Sequence, residues 1–430
     1  MKNKKALLVV FSIMLFTSNC NNDDNNSPNN AEDLTENIEV YNSEKIQDNL
    51  TFVVGLGKKN SFLIDKKGKI IKNWDFEDNF GNDIKLLPNS NLIGMFRTET
   101  DFNFGGGGGL IKLFNFDGEE LWSYTYSDVD RLAHHDILQM NNGNILFAAW
   151  ERLTVEDAKS RGINTEIDLF PESIIEVNPQ TNEIVWKWNS ADHGIQNMFP
   201  EITDTYGQIS ENPHKINLNY NLEGGNGHDI TNGNIMHFNG LFYDEEKDVI
   251  FISVLQYGEV WVIDHSTTTE QAATDVGGNY NKGGNLLYRF GNPMAYQNSN
   301  GLKRFYRTHT PVIIPEGYPG AGNFMVYMNG DNTFPHSEIY EFKLPEVFSL
   351  GINQDNEPQE VWKFQHPELY YDKVSGAVRL SNGNTLICEG DYGLWEVTPL
   401  GEIVWKYNAN GLVWRAYDFD KNHSALNSLD

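Results

Sequence analysis

Thr308-His309-Thr310-Pro311-Val312-Ile313-Ile314-Pro315 is followed by a turn at Gly322-Asn323 and then by Phe324-Met325-Val326-Tyr327-Met328-Asn329-Gly330-Asp331. Both runs are short, apolar and rich in β-branched and aromatic residues, with no 3.6-residue period, so they read as paired strands. The layout recurs upstream at His134-His135-Asp136 and at His237-Phe238-Asn239, again with histidine at the head of the first strand. A unit that repeats in this way points to a repeat architecture, and the rest of the chain supports it.

Two hairpins alternate along the sequence. One is Asp83–Ile93, then Asp136–Leu146, His237–Ser253, the His309 unit and Gly376–Ile387, several with Asn-Gly between apolar runs. Asn-Gly is the strongest short hairpin signal because both residues accept the positive φ of a tight turn. The other hairpin ends in an aromatic: Leu63–Trp74, Leu113–Trp122, Glu176–Trp188, Val262–Tyr288, Tyr340–Trp362 and Glu396–Trp405. Two hairpins make four strands, the content of one propeller blade, and six aromatic hairpins predict an all-β, six-bladed β-propeller. The aromatics would cap each sheet. A large β-sandwich is the competing all-β solution. Residues 151–172, 190–230 and 265–305 interrupt the spacing and read as insertions on one face, with a short helix over Val155–Arg161.

The chain has 430 residues, a formal charge of −28 and 13% aromatic residues. Such acidity argues against nucleic acid and anionic membrane surfaces as partners, while leaving room for a small anion in a local pocket. Lys2, Lys4 and Lys5 precede the apolar Ala6–Phe16, which is too short for the roughly 20 residues of a membrane-spanning helix and reads as an export signal over residues 1–19. Cys20 follows and resembles a bacterial lipoprotein cleavage site. The expected product is an exported lipoprotein of the outer membrane or cell surface, touching the membrane only through its N-terminal lipid. Residues 20–50 are rich in Asn, Asp, Ser and Glu and read as a disordered tether, leaving 51–430 as a single propeller domain. Cys388 has no partner but Cys20 and reads as a buried thiol.

His135, His237 and His309 occupy one phase of the repeat. The first strand of each blade lines the propeller axis, so the three are predicted to converge on the central channel. At these positions the sequence resembles the bacterial aryl-sulfate sulfotransferases. The resemblance rests on His135-Asp136 with Asn142-Gly143-Asn144, on His237-x-Asn239 with Ser253, and on His309-Thr310 with Gly322-Asn323 and Asn329-Gly330. The segment Glu259–Thr269, continuing to Gly283–Pro293, is similar too, and the likeness spans roughly residues 80–410.

It implies transfer of a sulfuryl group between phenols through a sulfohistidine, with no cofactor, no metal and no nucleotide sulfate donor. By resemblance His309 is the nucleophile, His237 and Asn239 hold sulfate oxygens, and His135 moves a proton or binds sulfate. A neutral imidazole is a competent nucleophile near pH 7, and a covalent intermediate implies ping-pong kinetics. His134, Tyr257 and Arg289 are further candidates for substrate contact. Where the family places a sulfate-binding arginine after Ser253, this chain reads Val254-Leu255-Gln256-Tyr257. Neither leucine nor glutamine can make the charged bidentate contact of arginine, so Arg289, Arg307 or Arg97 would have to supply it from elsewhere.

Two other readings use the same fold. One is a carbohydrate-active lyase using His and Tyr on a sulfated or acidic glycan, which is disfavoured if neither Tyr257 nor an arginine lies beside His237 and His309. The other is a non-catalytic binding propeller, favoured by the missing arginine. Gly105–Gly109 lacks the Lys-Ser/Thr of a phosphate loop and reads as a flexible loop. His193, His228, His265 and His366 read as loop or turn histidines. Asp264 and Asp331 lie in no calcium-loop pattern, and no Gly-x-Ser-x-Gly occurs.

Overall fold

A computed structural model describes residues 33–225, 227 and 230–429; the signal segment, Cys20 and His228 lie outside the described residues. The chain forms the predicted six-bladed propeller. Blade 2 is Phe80–Leu86, Leu92–Arg97, Gly109–Phe114 and Glu120–Thr125, and blade 3 is Arg131–Gln139, Ile145–Glu151, Glu172–Asn178 and Glu183–Asn189. Blade 4 is Phe238–Asp244, Val249–Val254, Glu259–Asp264 and Tyr288–Phe290, and blade 5 is Thr308–Ile313, Phe324–Met328, Glu338–Lys343 and Gln359–Gln365. Blade 6 is Gly376–Arg379, Thr385–Glu389, Gly393–Val397 and Ile403–Asn408. Each innermost strand touches the next in order, from blade 2 round to blade 1 and back to blade 2, closing the ring.

Blade 1 supplies the inner hairpin that the repeat count lacks. Its innermost strand, Val413–Phe419, comes from the far end of the chain and pairs antiparallel with Leu50–Gly55, which continues into Asn60–Ile64 and Ile70–Asp75. This pairing fastens the ring. The region read as tether also differs from expectation in its described part. Ile38–Tyr41 adds a fifth, outermost strand to blade 6, pairing with Trp405–Tyr407, and the chain from Leu34 onward belongs to the propeller unit. The helix expected in the first insertion spans Val155–Ser160, capped by the Thr154 side chain accepting from Asp157 N.

Second strands such as Leu50–Gly55, Val249–Val254 and Phe324–Met328 are buried along their whole length between neighbouring blades. That explains their continuous apolar runs, as for any strand covered on both faces. The aromatic ending each outer hairpin reaches sideways to the next blade and does not simply cap its own sheet. Trp74 Nε1 donates to Phe116 O (2.6 Å), Trp122 to Asn182 Oδ1 (2.8 Å), Trp186 to Thr267 Oγ1 (3.2 Å), Trp362 to Pro399 O (2.9 Å) and Trp405 to Lys66 O (2.8 Å). Tyr288 completes the circuit by donating to Asn356 O.

The channel is blocked by a buried ionic plug. Arg415 of blade 1 donates through Nη1 to Asp136 Oδ2 of blade 3 (2.7 Å) and Asp83 Oδ2 of blade 2 (3.3 Å), and through Nη2 to Asn239 O of blade 4 (2.9 Å). Lys85 Nζ donates to the other oxygen of Asp136 (2.7 Å), and Tyr417 donates its hydroxyl to Asp83 (2.7 Å). Burial pushes Asp83 up to about 6, against the pull of Lys85 and Arg415. Burial acts on Asp136 in the same sense, but Arg415 and Lys85 outweigh it and hold that carboxyl below the usual range.

Inner strands break register at this level: between Phe80 and Ile84, His134 and Ile137, Phe238 and Gly240, His309 and Val312, and Val413 and Arg415. Such bulges turn neighbouring residues to opposite sides. His135 (φ 56°), His237 (φ 62°) and Thr310 (φ 56°) adopt the left-handed backbone that non-glycine residues rarely take. Asp136→Ala leaves Arg415 and Lys85 facing Asp83 alone. It should lower stability by about 3–5 kcal/mol, the effect of unpairing a buried charge, read as a drop in the urea midpoint. A loss below about 1 kcal/mol contradicts the plug's role.

Candidate active site

On one side of the plug the channel opens into a cavity of about 470 Å³. All six blades or their connections line it: Leu56; Asn82, Arg97 and Gly105–Gly106; His135; Asn234, His237, Leu255 and Gln256; Arg307 and His309; and Asp372–Val374. The predicted convergence of His135, His237 and His309 is therefore present. The His135 and His237 ring centroids are 4.6 Å apart, and the Trp414 ring lies 5.9 Å from His135 and 6.1 Å from His309.

His309 is the most tightly specified of the three. Its Nδ1 is 2.5 Å from Asn329 Oδ1, while Asn329 Nδ2 donates to Tyr371 O (2.9 Å) and Val374 O (2.8 Å). Two carbonyls fix which end of the amide is the NH2, so Oδ1 must face the ring and can only accept. His309 then carries its proton on Nδ1, and Nε2 keeps its lone pair. Burial holds the His309 pKa well below the ordinary value. The Asn329 bond works against that shift, and the charges of Arg415, His237 and Arg307 reinforce it. The result is a neutral imidazole with a preset tautomer.

His134 lies beneath the cavity. Its ring stacks on Trp150 at 3.7 Å, and its Nδ1 meets His135 Nδ1 at 2.9 Å, so the two imidazoles share one proton across the contact. Burial lowers the pKa of both, with His237 adding to the effect on each. Asn234 Nδ2 donates to His237 Nδ1 (2.6 Å), which leaves that ring's proton on Nε2. Asn239 is fully buried. Its Oδ1 accepts from Ser253 Oγ (2.5 Å), and its Nδ2 has no partner among the described residues.

Positive charge reaches the cavity from two of the three arginines named as replacements, Arg97 and Arg307, and from Lys373, which was not named. Leu255 and Gln256 occupy the wall where the arginine is missing, and Arg97, Arg307 and Lys373 line the same cavity from blade 2, blade 5 and the connection into blade 6. Arg307 donates through Nη1 to the Asp372 carbonyl (3.0 Å) and carboxylate (3.1 Å), while its buried Nε has no partner among the described residues.

Arg289 and Tyr257 do not reach the cavity. Arg289 is buried against Glu259, with Nε 2.9 Å from Oε1, and Nη1 donates to Lys215 O (2.9 Å). Tyr257 donates its hydroxyl to Asn217 O (2.8 Å) and packs on Tyr220 and Trp261. Both are covered by the 190–230 insertion, which local sequence does not reveal. Of the two groups the lyase reading looks for beside His237 and His309, an arginine is present as Arg307, while the Tyr257 hydroxyl is committed elsewhere. Among the described residues, no group of three or more His, Cys, Asp or Glu side chains is arranged to hold a metal ion. Asn234 and Trp414 were not singled out from sequence, and Asn329 entered only as part of the Asn329-Gly330 pair in the resemblance, with no role assigned to it.

The arylsulfotransferase (ASST) family profile matches residues 35–411, and the chain belongs to that family. It is accordingly a sulfotransferase-type enzyme acting on aryl sulfates and phenols. A comparison with curated protein sequences finds no match. Among solved structures, the β-propeller domain of Cps50 (Swd1) from Myceliophteria thermophila shares 10% identity over 89% of each chain, with a TM-score of 0.44. A protein from Lactobacillus plantarum shares 9% identity over 85% of this chain and 84% of its own, with a TM-score of 0.44. BamB from Moraxella catarrhalis shares 10% identity over 91% of this chain and 95% of its own, with a TM-score of 0.36.

The tautomer lock is open to test. In histidine-labelled protein, nitrogen NMR should show His309 protonated on Nδ1 alone, and still neutral at about pH 6, below the ordinary imidazole value of about 6.5. Asn329→Ala should give a mixture of tautomers. A ring that gains its second proton between about pH 7.5 and 6 contradicts the assignment. Stability follows the same sign. His134, His135 and His309 resist protonation when folded, so below about pH 6.5 the unfolded chain binds more protons and the protein should lose stability as pH falls.

Proposed function

We propose that this cavity transfers the sulfuryl group in two displacements through His309. The observation that carries the reading is the doubly anchored Asn329 amide, which puts the His309 proton on Nδ1 and leaves Nε2 as the nucleophilic nitrogen of a ring that burial keeps neutral. In the first displacement the Nε2 lone pair attacks sulfur. An N–S bond forms, the S–O bond to the aryl group breaks, and its electron pair leaves with the phenolate. In the second, an acceptor phenol attacks the same sulfur and the N–S pair returns to Nε2. The acceptor's proton passes to His135 Nε2, in the tautomer in which His135 Nδ1–H donates to His134 Nδ1.

His237 Nε2–H and Arg307 are the donors for the sulfuryl oxygens. Charge develops on those oxygens in each transition state, and preset donors at a water-poor site stabilise it without reorganisation. Arg307 thus takes the part of the arginine absent at Leu255, from blade 5 in place of blade 4. The basic and apolar N-terminus ending at Cys20 supports a lipid-anchored enzyme acting outside the cytoplasm.

Removing the nucleophile is expected to lower kcat by about 10⁴-fold or more in His309→Ala, read as phenol release from an aryl sulfate in the presence of an acceptor. Arg307→Ala should lower kcat by about 10²–10³-fold, with partial recovery in Arg307→Lys. A His309→Ala enzyme within about tenfold of the wild type rejects His309 as the nucleophile. Radiolabelled palmitate should be incorporated by the wild type on expression and not by Cys20→Ala.

A further inference from the structure

The glycine run at 105–109 is not a free loop. Its backbone adds to the innermost strand of blade 3: His135 N donates to Gly106 O (3.1 Å), Gly108 N donates to Ala133 O (3.1 Å), and Gly107 bridges to His134. Most of the run is glycine because nothing larger fits. A Cβ on Gly106 would lie 2.0 Å from the His135 ring, one on Gly108 2.3 Å from Met95 Cγ, and one on Gly109 2.4 Å from Thr98 Oγ1. Gly106 and Gly109 also hold φ of 88° and 94°, which side-chain-bearing residues resist.

Gly105 obeys neither constraint. A Cβ there would meet nothing within 4 Å, and its φ lies outside the positive region. Its place is nonetheless fixed. On one side Phe104 packs against Trp150 (4.9 Å) and Phe170 (5.1 Å), with Phe102 against Phe170 (5.0 Å). On the other side is the Gly106–His135 hydrogen bond. Gly105 therefore holds open a part of the cavity wall next to His135 that a side chain would fill. The cavity, at about 470 Å³, is within the range that takes drug-sized molecules and exceeds what one phenol ring needs.

We propose that Gly105 sets acceptor size, and that the space it leaves admits the second ring of a polycyclic phenol. This rests on the sulfuryl-transfer reading, because donor and acceptor aryl groups use the same cavity in turn. The aryl group lies across the backbone at 105–106 with its hydroxyl toward His135. Gly105 is a specificity residue only: it contributes no group to the transfer.

The test is a graded series, Gly105→Ala, Gly105→Val and Gly105→Leu, assayed with phenol and with naphthol as acceptors at a fixed aryl sulfate donor. The ratio of kcat/KM for naphthol over phenol should fall stepwise with side-chain volume, reaching about tenfold or more in Gly105→Leu, the scale on which a hydrophobic pocket discriminates size. A ratio unchanged across the series overturns the proposal. Calorimetric binding of naphthol is measured on the same proteins. A wild type that binds naphthol without turning over would overturn the transfer chemistry, and the size role would still be decided by binding. Naphthol binding lost in Gly105→Leu supports that role. Binding equal in wild type and Gly105→Leu, or absent from both, removes it.

Discussion

Burying the Arg415 guanidinium on the propeller axis forfeits its hydration, a loss of several kcal/mol that must be met by close, well-aligned acceptors. Asp136 and Asp83 provide them, and the backbone carbonyl of Asn239 accepts a further hydrogen bond. Burial works against the charge, but the two carboxylates outweigh it and keep the guanidinium firmly protonated. Because these groups come from blades 1 to 4, the pairing is satisfied only when the ring is closed and each inner strand sits in register. Arg415 itself arrives on the last strand of the chain, next to the residues that fasten the ring. One buried cation thus ties together closure, register and the floor of the channel.

The same bulges that aim the plug aim the chemistry. Asp136 faces the plug while its neighbour His135 lines the cavity, and Trp414 stands beside His135 and His309 one residue before Arg415. The floor is kept neutral because the imidazoles are buried and near one another. Positive charge is confined to Arg97, Arg307 and Lys373 at the cavity's lining. In a chain of net charge −28 this local inversion is what lets an aryl sulfate approach, since a pocket's own field can differ in sign from the whole. A neutral imidazole beside cationic side chains would suit the proposed attack on an anionic sulfate ester.

Much of the fold was legible because its signals are local. Asn142-Gly143 and Asn382-Gly383 mark inner hairpins, and the tryptophans at 74, 122, 186, 362 and 405 mark outer ones. The sixth inner hairpin was not legible, since Leu50–Gly55 and Val413–Phe419 meet only after the ring forms. Nor was the role of Ile38–Tyr41, whose polar surroundings resemble a tether until Ile403–Asn408 offers an open edge. At the site, histidines repeated at one phase could be read in advance because phase fixes which residue faces the axis. Arg307 could be named only as one of three possible replacements for the missing arginine, and Lys373 not at all, because connections between blades carry no period. Arg289 and Tyr257 were misjudged because the 190–230 insertion, with its own carbonyls at Lys215 and Asn217, draws them away from the channel.

The proposed function requires His309 itself to carry the sulfuryl group between donor and acceptor. Acid quenching destroys such N–S bonds, so the wild type should be mixed with an aryl sulfate in the absence of acceptor and quenched rapidly in base. Peptide mass spectrometry should then find one added sulfuryl group on the peptide containing His309, and adding a phenol before the quench should remove it. A sulfuryl group on His135 or His237, or none on any histidine while phenol is released in a stoichiometric burst, would rule out His309 as the carrier.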